Sequence, residues 1–201
     1  MRKPIDTSKP RRQSGFSLIE LMIAMIVLAV GLLGGMVVIV TAVATNTRNR
    51  VDTAAVALAQ STMDRIIVLS SSSTAQSTQM TDCDGTVHVM TTTGAAAPGN
   101  GAPLTDIAGV ANGNQVIDFS KDPVNGYQMF YKLCAAGATD GLPLGNPQLY
   151  DVRWNIQNIT GSPYTQMVLV AAKNISILGN GFQTQTQYYN MPITLRAMRG
   201  N

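Results

Sequence analysis

The sequence is short of the residues that carry most enzyme chemistry. In 201 residues there are two cysteines and one histidine, and charged side chains make up only 12%. Glutamate occurs once, as Glu20. No Cys-x-x-Cys, phosphate loop, His-Glu-x-x-His or nucleophile elbow is present, so no set of acid, base and nucleophile stands out. The residues therefore predict no enzyme, no cofactor and no metal centre. The lone His88 sits between Val87 and Val89 in an alternating segment and reads as a surface or sheet residue. Asp82 and Asp84, which flank Cys83, together with Asp140, match no calcium-loop spacing and read as solvated loop acids. Aromatic residues are 5% of the chain, too few to interleave with a basic face as stacking platforms for nucleic acid. The 45% apolar content and sparse charge also exclude a disordered polyampholyte.

What the chain does have is concentrated at its start. Five basic residues, Arg2, Lys3, Lys9, Arg11 and Arg12, fall in residues 1–15 against a single acid, Asp6, and the rest is close to neutral. The basicity belongs to a leader. From Leu21 to Thr47 no residue is charged, and most are Leu, Ile, Val, Met or Ala. A bilayer core of ~30 Å needs about 20 helical residues, so this run can span a membrane. The basic residues before it keep the N-terminus cytoplasmic by the positive-inside bias and place the chain beyond Thr47 in the periplasm of a bacterium. A secretory signal with cleavage after Ala42-Val43-Ala44 is the rival reading. Its apolar region would be far longer than the ~7–15 residues such signals use.

Glu20 interrupts the apolar stretch Phe16-Ser17-Leu18-Ile19-Glu20-Leu21-Met22. A carboxylate there costs a few kcal/mol unless it reaches the headgroups or finds a cation. A cut between Gly15 and Phe16 would remove the leader and expose an α-amine at Phe16. Amine and carboxylate four residues apart on one stiff helix satisfy each other poorly, whereas neighbouring molecules offset along a common axis can pair them. Glu20 then sets the register between like helices.

A basic leader, then Gly15-Phe16-Ser17-Leu18-Ile19-Glu20, then a long apolar helix resembles the class III signal of type IV pilins and pseudopilins. The stretch Leu28-Ala29-Val30-Gly31-Leu32-Leu33-Gly34 is similar to that of PilV-type minor pilins, the type IV pilus modification family. The resemblance implies cleavage by a prepilin peptidase after Gly15, N-methylation of Phe16, and an assembly role for Glu20. Its implied partners are other major and minor pilins, the inner-membrane assembly platform and the lipid bilayer. No nucleic acid is indicated. The implied location is the inner membrane, single-pass with the head periplasmic, and then the pilus fibre. Two other functions stay open: a pseudopilin of a type II secretion system, and a membrane-anchored periplasmic binding module. Gly31 and Gly35, with Gly34 between, form either a notch for close helix packing or a soft segment, since each glycine weakens a helix by ~1 kcal/mol.

Beyond the span, Val51, Ala54, Ala55, Leu58, Thr62, Ile66 and Leu69 recur at three- and four-residue spacing, with Asp52, Gln60, Asp64 and Arg65 off the stripe. No proline interrupts residues 16–70, so one helix is predicted, ending at Ser70–Thr74. Residues 93–115, rich in Gly, Ala, Pro and Asn, read as a long loop. Tyr150, Val152, Trp154 and Ile156 alternate with Asp151, Arg153 and Asn155, a strand pattern, and 127–133 alternates less cleanly. Residues 86–90, 166–172 and 192–197 are further strand candidates. The expectation is an α+β, pilin-like chain whose long N-terminal helix packs on an antiparallel sheet. Its segments are a leader at 1–15, a transmembrane and assembly helix at 16–47, an amphipathic continuation at 48–70 and a head at 71–201. In an oxidising periplasm Cys83 and Cys134 are expected to pair. Closing that loop would contribute ~4 kcal/mol in the chain-entropy model. Pilin heads often carry a bridge that delimits a C-terminal loop. Here the residues after Cys134 lie outside the closed loop, so that feature does not carry over.

Overall fold

The computed structural model describes residues 15, 17–69, 76–107, 115–134, 148–162, 164–175 and 191–200. The expected leader, Phe16, the helix end at Ser70–Thr74 and Asp140 lie outside the described residues. Among the described residues one long helix, α1 (Leu18–Val68), is followed by nine strands. Every strand pair is antiparallel, which makes this an α+β chain. Two compact units divide it, Met1–Arg48 and Asn49–Asn201, and α1 contributes to both.

In the first unit the helix is apolar around its whole circumference. Leu18, Ile26, Leu33 and Val40 all lie between 61% and 77% exposed. The helix is long and apolar enough to cross a membrane. Two of its hydroxyls are satisfied internally: Thr41 Oγ1 donates to the Val37 and Val38 carbonyls at 3.0 and 2.9 Å, and Thr45 Oγ1 to Thr41 at 2.9 Å. Such back-bonding lets threonine sit in an apolar helix without leaving an unpaired group.

In the second unit the rest of α1 is amphipathic. Ala55, Leu58, Thr62 and Ile66 are buried, as are Ala59 and Met63 on the same face, while Gln60, Asp64 and Arg65 are exposed. The helix packs on a five-stranded sheet. Its central strands are β7 (Gln148–Asn158) and β8 (Thr165–Asn174), with β9 (Ile193–Gly200) outside β8. On the other side β7 is shared by β6 (Gln128–Leu133), along Gln148–Arg153, and the short β3 (Asn100–Gly101), at Asn155 and Ile156. Tyr150, Val152, Trp154 and Ile156 of β7, with Val168, Val170 and Ala172 of β8, join the helix stripe in one core. A hairpin of β1 (Ser77–Thr81) and β2 (Val87–Thr91) closes it with Met80 and Met90.

The opposite sheet face is covered too. Asp151, Arg153, Asn155 and Gln157 are all buried there. A smaller core of Ala102, Ile117, Leu169 and Ala171, flanked by Leu104 and Phe119, lies over that side. Leu169 and Ala171 come from β8, while Leu104 of β4 (Leu104–Asp106) and Ile117 of β5 (Gln115–Ile117) cover them. This corrects the reading of 93–115 as a loop: its described parts form β3, β4, the start of β5 and a bridge from Ala95 to Gln157. Glycine makes the approach possible. Gly101 has φ +121, and a Cβ on it would stand 2.3 Å from the Trp154 carbonyl oxygen.

Two buried arginines are held by different means. Arg153 pairs with Asp151 at 2.8 Å, and Gln128 Nε2 donates to the other Asp151 oxygen at 2.8 Å. Its remaining donors reach the Lys121 carbonyl at 2.8 Å, and the guanidinium lies 4.8 Å from the centre of the Phe119 ring. Arg199, 2% exposed, bonds among the described residues to neutral oxygens. It donates to Gln166 Oε1 at 2.7 Å, the Ile66 carbonyl at 2.8 Å and the Thr92 carbonyl at 2.5 Å. Burial lowers its affinity for the proton, but a guanidinium stays charged. The cation therefore caps the last turn of α1, where unpaired carbonyls and the helix dipole favour positive charge.

Candidate assembly site

The residues singled out near the N-terminus lie where charge gives way to apolar helix. Gly15 is exposed, with no atom within 4 Å of a Cβ placed on it. Phe16 lies outside the described residues. The Ser17 carbonyl accepts the N–H groups of Glu20 at 3.0 Å and Leu21 at 3.2 Å, closing the first turn of α1. Glu20 is the acidic residue of that turn, a position that the partial positive charge of a helix N-terminus favours. It is exposed and forms no ion pair with another described residue. Leu21, Met22 and Ile23 follow it at 57–58% exposure, so an ionisable group stands at the edge of an uncovered apolar surface.

Gly31, Gly34 and Gly35 are equally open, since a Cβ at any of them would meet nothing within 4 Å. No contact with another described residue requires these glycines. An uncovered apolar surface of this extent needs a bilayer or other apolar helices to keep it from water.

The second group of singled-out residues comes together at the tip of the β1–β2 hairpin. Cys83 and Cys134 form a disulfide with their Cα atoms 5.7 Å apart, joining that tip to the end of β6. Non-covalent contacts surround the bond. Cys83 N donates to the Lys132 carbonyl at 3.3 Å, Tyr131 Oη to the Thr81 carbonyl at 3.0 Å, and Lys132 pairs with Asp84. A hydrogen bond with Asp82 and contacts with Lys132 and Thr86 hold the Asp84 carboxyl well below its usual range, and Asp84 in turn raises the Lys132 ammonium. Burial, with the nearby Asp82 charge, raises the Tyr131 phenol.

One reading of this segment needs correction. Asp82 is not a solvated loop acid but is 7% exposed. Its Oδ1 accepts the N–H groups of Thr86 at 2.9 Å and Asp84 at 3.2 Å, and its Oδ2 lies 3.1 Å from His88 Nε2. His88 is a sheet residue of β2, as its alternation predicts, and points opposite its flanking valines: Val87 and Val89 are 51% and 54% exposed, while the imidazole packs 6.0 Å from the Tyr131 ring. The polar side chain is drawn in because the buried carboxylate bonds it. Among the described residues no group of three or more His, Cys, Asp or Glu is placed to hold a metal ion. Arg199 was not singled out by any pattern, since one arginine near the end of a strand carries no signal.

Residues 10–36 match the family model of the prokaryotic N-terminal methylation motif. The motif fits a type IV pilin or pseudopilin. It contains Gly15, Phe16, Glu20 and all three glycines of the apolar helix. A protein with this motif is processed by a prepilin peptidase and assembles with other pilins, and the long apolar helix fits an inner-membrane anchor. No curated protein and no solved structure matches the chain.

Proposed function

We propose that this chain is a minor pilin of a type IV pilus, a structural subunit that acts by assembly. The observation that carries the reading is Glu20, the only glutamate, in the first turn of a helix whose apolar surface is uncovered. After cleavage between Gly15 and Phe16, the subunit waits in the inner membrane with residues 16–47 as its span. It then enters the fibre, or primes it, by matching Glu20 to the Phe16 amine of a neighbouring pilin. The stretch Leu28–Gly34, similar to PilV-type minor pilins, favours this over a pseudopilin of type II secretion.

The decisive measurement is the intact mass and N-terminus of the protein from its native host, together with its distribution between sheared fibres and envelope. The reading expects methylated Phe16 and recovery in fibres. Envelope retention with the same N-terminus would mean a pseudopilin, and an intact leader or an N-terminus at Thr45 would end both readings. Glu20→Ala should still be cleaved and held in the membrane, yet its recovery in fibres should fall by about tenfold or more, as for a charge pair broken out of water. Undiminished recovery would remove the role given to Glu20.

A further inference from the structure

We infer that Asn125 is a site of spontaneous covalent modification, in which its side-chain amide closes on the Gly126 backbone nitrogen and yields aspartate and isoaspartate. Two Asn-Gly pairs fall among the described residues, and the fold treats them differently. Asn125 and Gly126 occupy an exposed turn closed by the Tyr127 N–H donating to the Val124 carbonyl at 3.0 Å. The Gly126 N–H makes no hydrogen bond with another described residue, so the attacking atom is not engaged. Gly126 is required there, with φ +81 and a would-be Cβ only 2.6 Å from Thr91 Oγ1. The fold thus imposes on residue 125 the one neighbour that hinders ring closure least.

Asn100 and Gly101 form β3 and are paired with Ile156 and Asn155 of β7. The Gly101 backbone is pressed against the Trp154 carbonyl. Ring closure there requires the strand to open first.

In the reaction the Gly126 nitrogen loses its proton to a solvent base and attacks Asn125 Cγ. A C–N bond forms, the Cγ–Nδ2 bond breaks and ammonia leaves. Water then opens the succinimide at either carbonyl. The isoaspartyl product carries an added backbone carbon just before Gly126, whose carbonyl accepts the Thr91 N–H at 2.8 Å; the Thr91 carbonyl in turn accepts Trp154 Nε1 at 2.8 Å. Modification therefore lengthens the backbone beside a chain of bonds that reaches the core tryptophan.

The test is timed incubation of the full chain in detergent at mildly alkaline pH, followed by peptide mapping that distinguishes isoaspartate, with a urea-unfolded sample in parallel. The expected result is conversion at Asn125 at least about tenfold faster than at Asn100 in the folded protein, with the difference largely lost in urea. Asn125→Gln should remove the product while leaving the melting temperature unchanged. Equal rates at the two sites in the folded protein, or no conversion at Asn125 while the unfolded sample converts, would overturn the inference.

Discussion

The two units of the chain treat apolar side chains in opposite ways. In Met1–Arg48 the leucines, isoleucines and valines of α1 stand around the helix and stay uncovered. In Asn49–Asn201 those that fall on the helix stripe and on the central strands β7 and β8 are buried, while Val87 and Val89 of the hairpin stay exposed. Hydrophobic content alone does not separate these cases; periodicity does. A helix apolar on every side cannot be covered by one sheet and has to find its solvent elsewhere. Folding of the second unit and placement of the first should therefore be separable by mutation.

The largest effect that would sharpen this contrast is on processing. Gly15→Leu should abolish the mature form, seen as an uncut precursor by intact mass, while hydrogen exchange across residues 148–175 stays unchanged. Trp154→Ala comes next: its side chain is fully buried and its Nε1 donates to the Thr91 carbonyl at 2.8 Å. It should cost about 3–5 kcal/mol in denaturant unfolding followed by circular dichroism, with cleavage and membrane retention intact. Loss of retention in that variant would break the contrast. Arg199→Leu should cost about 2–3 kcal/mol by orphaning helix-end and strand carbonyls. Faster hydrogen exchange should be confined to the last turns of α1 and leave residues 28–40 as they were.

The smallest effect is electrostatic. Asp84 is held below its usual 3.8 by Asp82, Lys132 and Thr86. The unfolded chain therefore takes up this proton first, and the contribution to stability is complete at neutral pH and lost as pH falls below about 4. Asp84→Asn should flatten that acid limb of the melting curve with little change at pH 7, because the pair is exposed and screened.

Much of the fold is legible where one pattern runs long enough. The stripe from Val51 to Leu69 and the alternation from Tyr150 to Ile156 each repeat several times and mark the helix face and central strand that meet in the core. The alternation says nothing about whether the polar face is covered. Asp151 and Arg153 look solvated in sequence, yet they are buried because they satisfy each other. The strands β3, β4 and β5 are two or three residues long, too short to show a period, and the glycine and proline around them mimic a loop. They exist because β7 and β8 supply the surface they cover. At the candidate site, Gly15 through Glu20 is readable as a contiguous string. The surroundings of Asp82 and His88 are not, since the burial that joins them comes from β6, over forty positions later.

The guanidinium of Arg199 also carries a temporal consequence. It seals the final carbonyls of α1 across a separation of 133 positions, a closure that local segments cannot rehearse and that costs entropy before it returns any contact. A polypeptide emerging N-terminus first presents that helix end to water until almost all of the sheet has been made. A chain interrupted before β9 would leave those carbonyls without their cation.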